Sequence, residues 1–475
     1  MSSVSALNSL LASSSSNTAG IDISSLLQAA FGASSSGIDV TSAVNSAISA
    51  AEAPEQAWQA QETTQQSQTT ALNQLQTDAT NIDNDVQALN SLTGPLSART
   101  VTSSDSGIVS ASAASGSSVG NHTVVVNSLA GTASWASSTV ASATTDLAAG
   151  SFNITGADGT VTTISTGTGT STLTDVATTI NADNLGVTAS VITDATGARL
   201  AIVSNTSGSA ANFSVANGAG LTFAQAQDGA DASLTVDGIS LSSASNTVTG
   251  ALPGVTLNLL NASPGTNVNL SIAPDTTQAS TAINQFVTDY NQAITDLNTQ
   301  YADTGTGEGP LAADSVVRSL QSTLQDALDY TYTPASGTTT MPNLSSMGIS
   351  VNNDGTLSVD SATLSNSLAN NFNDVQNFFQ GASLNGFANS LDQQLTNFIS
   401  PADGAFTLDL QSISSENTDL QNDINNFQTN YIAPLKTQLT SEYSQAEILL
   451  QQLPMEMQQI NTELGYNNNS SSSGG

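Results

Sequence analysis

Between Glu55 and Thr93 this chain contains neither glycine nor proline. Leu72, Leu75, Ala79, Ile82, Val86 and Leu89 recur there at alternating steps of three and four, the seam of a helix built to supercoil against a partner. At 1.5 Å per residue the stretch predicts a rod of roughly 58 Å. Such a rod cannot bury its seam against itself. A second helix must come from elsewhere in the chain or from another copy of it.

Salt bridges cannot set the register of that pairing. Only Arg99, Arg199, Arg318 and Lys436 are basic, against 38 acids, for a formal net charge of −34. Gln61, Gln65 and Gln68 are assigned to the seam instead. Buried amides stabilise less than leucine but restrict register, so this section reads as weak and exchangeable. Replacing the three by leucine is expected to stiffen the helix pair. The acidity otherwise serves solubility and self-repulsion of unassembled copies. So few cations exclude nucleic acid, whose binding rests on displacing phosphate counterions, and polybasic attachment to anionic lipid. There is no cysteine, hence no disulfide and no thiolate metal site. No apolar run approaches the ~18 residues of a membrane span, so no membrane insertion is expected. The first thirty residues lack a basic n-region and a compact apolar stretch, so they do not read as a secretory signal peptide, and any export would take another route.

In chain order, residues 1–36 are Ser/Ala-rich with apolar clusters around Leu7–Leu11 and Ile21–Phe31, a mobile tail by composition. Gly37-Ile38-Asp39-Val40 opens a helix that Pro54 breaks or kinks. The long rod follows and is expected to stop at Gly94-Pro95. From about Arg99 short alternating or β-branched runs take over, among them Val124–Val126, Phe152/Ile154, Val187/Ala189/Val191, Leu200/Ile202 and Phe213/Val215. These predict an all-β region with one helix over 172–182. Leu234/Val236, Ile239/Leu241, Val255–Leu259 and Val268–Ile272 continue it, with turns at Asp237-Gly238 and Pro253-Gly254.

The helical period returns after Asp275 in Ile283, Val287, Tyr290, Ile294, Leu297 and Tyr301. Asp314 and Asp360 are expected N-caps. The first precedes a helix through Val317, Leu320, Leu324 and Leu328, the second a single helix through Leu364, Leu368, Phe372, Val375 and Phe379. Between them lies a hairpin over 348–359. Another helix is expected through Leu384, Phe387, Leu391, Leu395 and Phe398. Leu420, Ile424, Phe427 and Tyr431 make one terminal seam. Tyr443, Ala446, Leu450, Leu453, Met457, Ile460 and Leu464 make another. Residues 466–475 form a disordered tail by composition. The fold class is therefore α+β and multidomain, with a helical coiled-coil stalk made by both chain ends and antiparallel β-rich heads inserted between them.

Enzyme chemistry is poorly supported. His122 is the sole histidine, set in a predicted strand with no nucleophile elbow near it. Asp158, Asp237 and Asp354 each precede a glycine without the alternating acids of a calcium loop. The glycines at Gly167/Gly169 and Gly305/Gly307 are not followed by the Lys-Ser/Thr of a phosphate loop. No catalytic residue, metal or cofactor is expected.

Several separate motifs resemble, in order, those of the flagellar filament cap family, hook-associated protein 2. Gly37–Val40 with Ala51-Glu52-Ala53-Pro54 is similar to its opening helix. Ser103-Ser104-Asp105 and Gly120 to Ala130 resemble its first head strands. The stretch from Asp231 through Gly238, Ser245–Val248 and Pro253–Leu257 is similar to the IN motif shared with flagellins and hook proteins. Phe286-Val287 with Tyr290-Asn291, Gly309–Leu311 with Asp314, and Met347–Ile349 with Asp354–Asp360 resemble the return into the stalk and its late hairpin.

The resemblance implies N-terminal stalk helices over 37–98 and an inner β head from 99–149 with 227–275. An outer head over 150–226, a return stalk domain over 276–412 and C-terminal coiled-coil helices over 413–465 complete it. It implies a ring of roughly four to six copies at the distal flagellar tip, reached by the flagellar type III route. That ring would hold exported flagellin while it folds and inserts. Implied partners are flagellin, the hook–filament junction protein and an export chaperone at the C-terminal helices. A surface adhesin or a flagellin-like filament subunit, with the β region as its binding face, is the alternative.

Overall fold

The computed structural model describes residues 39–167, 171–302, 307–334, 337–382 and 384–463. The tails expected over 1–36 and 466–475, and Leu464, lie outside them.

Helix α1 (Val40–Ala51) starts where Asp39 accepts the Ser42 N–H through Oδ1 at 3.1 Å. It ends at Glu52, and Pro54 stands second in α2 (Ala53–Asn90), where its missing N–H removes no helical bond. Helix α2 then runs unbroken for 38 residues and stops at Asn90, short of Gly94-Pro95. Its final carbonyls have a partner: the buried Gln380 amide donates to Leu89 O and Ser91 O, each at 3.1 Å.

The β region comprises β1 (Arg99–Ser103), β2 (Val109–Ala113), β3 (Gly120–Ser128), β4 (Thr132–Ser137), β5 (Gly150–Thr155) and β6 (Val161–Thr166). Helix α3 (Leu173–Ala182) follows, closed by a Thr172/Asp175 capping box. Then come β7 (Val187–Asp194), β8 (Gly197–Ser207), β9 (Ser214–Val215), β10 (Phe223–Gln227) and β11 (Ala232–Val236). The run ends with β12 (Ile239–Ser243), β13 (Thr247–Leu252), β14 (Val255–Leu259) and β15 (Val268–Pro274).

A five-stranded antiparallel sheet, β1-β15-β3-β11-β12, shares one core with the sheet β13-β14-β2. Val124, Val126, Leu234, Leu257, Val268 and Leu270 fill it. Along β11 and β14 every second residue is buried, the period a sheet with one covered face imposes. Sheets β10-β4-β8-β7 and β6-β5-β9 enclose a separate core with α3, where Phe152, Ile164, Leu173, Ile180, Leu200 and Ile202 meet. The cores divide where Gly131 and Ala230 exchange backbone hydrogen bonds of 2.8 and 3.1 Å. The join expected near 150 is therefore earlier. Strand β4 belongs to the second core because its partners, β8 and β10, lie far along the chain.

Beyond β15 come α4 (Thr276–Tyr301), α5 (Ser315–Leu328), the hairpin β16 (Ile349–Val351) and β17 (Leu357–Val359), α6 (Ser361–Asn370), α7 (Phe372–Gln380), α8 (Phe387–Ile399) and α9 (Ala405–Phe427). A π-turn over Gln428–Ile432 leads into α10 (Ala433–Glu463). Asp314 and Asp360 do cap α5 and α6: Asp314 Oδ1 accepts from Val316 and Val317, Asp360 Oδ1 from Ala362 and Thr363. The single helix expected through Leu364–Phe379 is two, broken at Asn371, which lies outside the helical region at φ −132°. Leu384 is not in α8 either; it precedes it in the left-handed region at φ 56°.

The chain divides into two compact units. One, helical over its described residues, falls within Met1–Thr77, Thr299–Arg318 and Asn397–Gly475. The other comprises Asp78–Asn298 and Ser319–Thr396 and holds both β cores. The division falls within α2, α4, α5 and α8 rather than at 98 and 276.

Candidate assembly interface

In the helical unit, α2 and α9 are joined by a ladder of amide–carboxylate bonds. Gln428 donates to Glu55, Gln421 to Glu62 at 2.9 Å, and Gln65 to Glu416 at 3.3 Å. Seven residues separate Glu55 from Glu62, and seven separate Gln421 from Gln428, so the helices are antiparallel and in step. Trp58 meets Phe427 edge-on with centroids 5.3 Å apart. Amides thus take the place of the lysines this chain lacks. The assignment of Gln61 to the seam is corrected: Gln61 is exposed, and Glu62 occupies the inward position. Gln65 is buried, and Gln68 is half-buried with its amide on Pro310 O.

The same antiparallel arrangement continues between α1 and α10, where Val44 and Ile48 cluster with Ile432, Leu435, Leu439 and Tyr443. The π-turn adds a residue per turn and shifts the inward face. Ile432 is enclosed, whereas Tyr431, assigned to the seam, is 52% exposed and stacks on Phe427. Leu420 is buried, and Ile424 and Phe427 are half-buried.

Farther along α10 most apolar residues are exposed among the described residues. Leu450 is half-buried, but Leu453, Met457 and Ile460 are 49%, 60% and 53% exposed, beside Ile448, Leu449 and Met455. By contrast Leu72, Leu75, Ile82, Val86 and Leu89, with Ile283, Val287, Tyr290, Ile294 and Leu297, are buried within the single chain. Those ten hold its own fold. Among the described residues, a run of exposed apolar side chains lies at the end of α10.

Carboxyl pairs stand inside both units. In the helical unit burial and the neighbouring Asp314 raise the Asp409 carboxyl to about 6. In the other, burial and Asp392 raise Asp83 to about 6, and burial with Asp289 raises Asp85 to about 7. The Gln87 amide bridges Asp83 and Asp392 at 2.8 and 2.9 Å. Periodicity could not have found these pairs, since their partners lie far apart in sequence. His122 Nδ1 lies 2.7 Å from Asp237 Oδ2, and Asp237 Oδ1 accepts the Thr123 N–H at 2.8 Å. These bonds hold the Asp237 carboxyl below its usual range and tie a hairpin turn to β3. Among the described residues no group of three potential metal ligands occurs, and no helix is long and apolar enough to cross a membrane.

Helices from both chain ends packed on one another, β domains inserted between them and an exposed apolar helix end define a structural protein that assembles with others. The family models for the N- and C-terminal parts of flagellar hook-associated protein 2 match residues 36–133 and 229–455. The chain belongs to that family: it is a flagellar filament cap protein. The model of the flagellin hook IN motif matches residues 151–206. This corrects the motif's placement at 231–257: it is the β5-to-β8 part of the second core. The B-type flagellar hook-associated protein 2 of Pseudomonas aeruginosa is 27% identical over 416 residues, 79% of this chain and 84% of that one. The polar flagellar hook-associated protein 2 of Vibrio parahaemolyticus is 30% identical over 208 residues, 43% of this chain and 30% of that one. The crystal structure of the flagellar cap protein from Escherichia coli superposes with a TM-score of 0.59 at 25% identity, covering 72% of this chain and 99% of that one.

Proposed function

We propose that several copies of this chain form a closed ring at the distal end of the filament, beneath which exported flagellin folds and inserts. Family membership supports the cap, and the exposed apolar end of α10 supports contacts beyond the single chain. The same surface suits an export chaperone before assembly and the hook–filament junction before the first flagellin arrives. Ring closure follows from a heterologous contact whose rotation returns to its start, for which roughly four to six copies suffice. Export by the flagellar type III route fits this reading. The role is structural, with no substrate turned over.

Light scattering on the purified chain, with electron microscopy of filament tips, tests the reading. Small closed oligomers, tip labelling and leakage of flagellin from a deletion strain are expected. Polymerisation without limit would instead make the chain a filament subunit, and surface labelling away from tips would make it an adhesin.

A further inference from the structure

Strand β1 follows α2 in the chain and β15 precedes α4, and the two strands pair with Arg99 opposite Pro274. The Asp275 N–H donates to Ala98 O at 3.0 Å, so α2 and α4 leave this join side by side and antiparallel. Below it Asp85 of α2 meets Asp289 of α4. Asp78 and Asp296 lie seven residues farther from the join on the same two helices, a heptad along the same faces. On the flank toward α8 the Gln87 amide donates to Asp83 and Asp392 at 2.8 and 2.9 Å. Acid faces acid wherever α2 carries a carboxyl here.

Both arginines of this unit are engaged elsewhere. Arg99 donates to the carbonyls of Ser97, Ala98 and Ser117, and Arg199 faces Asp194 on the β7–β8 hairpin. Other acids of the unit have donors of their own: Asp289 accepts from Gln285, Asp296 from Gln292, Asp326 of α5 from Ser322 and Asp374 of α7 from Thr340. Asp85 Oδ2 and Asp83 Oδ1 differ, being shut off from solvent with no hydrogen-bond donor on them; Asp83 as a whole is 6% exposed. A buried oxygen beside a second carboxylate, with no N–H to bind, is satisfied by a proton of the pair itself. The protonated acid then donates its O–H to the carboxylate opposite, and release of that proton to solvent leaves two like charges in a buried gap. The raised Asp85 and Asp83 carboxyls, at about 7 and about 6, agree with this geometry.

We propose that the Asp85–Asp289 and Asp83–Asp392 pairs form a proton-held clasp: shared protons fasten the last turns of α2 to α4 and α8, and their loss lets this end of α2 open while the β cores stay folded. Amide exchange of the full-length chain at pH 5 and pH 8, corrected for the intrinsic effect of pH on exchange, tests this. Protection over 80–90, 285–293 and 388–395 should fall by about tenfold or more at the higher pH, while β3 keeps its own. Asp83→Asn with Asp85→Asn supplies amides that donate as the protonated acids do, and this variant should hold at pH 8 the protection that the parent shows at pH 5. Infrared spectra give a direct readout of the proton: a protonated-carboxyl band present at pH 5 is expected to fade by pH 8 and to be weaker in the double variant at pH 5. Equal protection at both pH values, a loss shared by β3, or a band that the variant leaves unchanged would overturn the clasp. Ring formation is read separately by light scattering, so the assembly proposal stands or falls on its own.

Discussion

Asn291 in α4 lays its amide against β17, donating to Leu357 O at 2.8 Å and accepting the Leu357 N–H at 2.6 Å. Asn181 does the same with Ala189, Asn246 with Ala130 and Asn212 with Gly229. Each side chain acts as a short piece of strand, satisfying a backbone donor and acceptor together. Asn291→Ala takes this partner from both backbone groups of the buried Leu357, and about 1–3 kcal/mol of stability should be lost, read by urea denaturation.

The buried acids act in the opposite sense to ordinary ones. Asp83, Asp85 and Asp409 have carboxyls raised above their unfolded value. Their contribution to stability is complete below pH of about 4 and is lost as pH rises through about 6 to 7. Asp39, Asp360 and Asp374 are lowered by hydrogen bonds from neighbouring hydroxyls and N–H groups, so their contribution fails only below the ordinary carboxylate range. Between pH 5 and 8, then, thermal stability should fall as pH rises. Asp85→Asn should flatten that slope and raise the melting temperature at pH 8 by roughly 2–4 °C, measurable by calorimetry. A slope unaltered by the substitution would locate the effect elsewhere.

Among the elements, α2 depends on one side chain from far along the chain. Gln380 closes its carboxyl end. Gln380→Met keeps the volume and removes the donor, leaving the buried Leu89 carbonyl without this partner while Ser91 O keeps the Gly94 N–H. A loss of about 1–3 kcal/mol is expected, with faster exchange at the last turn of α2 and none at its middle. The sequence made α2 legible because Leu72 to Leu89 keep one period without interruption. It concealed the break at Asn371, since Leu364, Leu368, Phe372, Val375 and Phe379 keep the helical period across it. It also misled at Tyr431, where an extra residue in the turn moves Ile432 inward and no composition cue marks the shift. The join at Gly131 was hidden for another reason: the membership of β4 is decided by β8 and β10, and pairing across that distance leaves no local trace. The α10 seam was readable as apolar, but its exposure depends on what else is folded against it.

For the whole molecule, a formal charge of −34 with four basic residues sets a background repulsion that so few cations cannot offset. Charge contacts among the described residues include His122 with Asp237 and Arg199 with Asp194. Raising sodium chloride from 0.01 to about 0.5 M shortens the screening length from about 30 Å to a few ångströms, so the melting temperature should climb by several degrees. A flat response would mean that the acids lie too far apart to matter. The ladder between α2 and α9 has its own bearing on large motions. Slide one helix by a heptad and Glu62 meets Gln428 while Gln65 meets Asp423; slide it the other way and Glu55 meets Gln421 while Gln65 meets Asp409. Two of the three rungs re-form either way, while Glu55 is left facing Leu435 in the first slide and Glu62 facing Ser414 in the second, so the polar rungs tell the notches apart by a single bond. The indole of Trp58 lodged against Phe427 adds a second detent to a largely repeating rack.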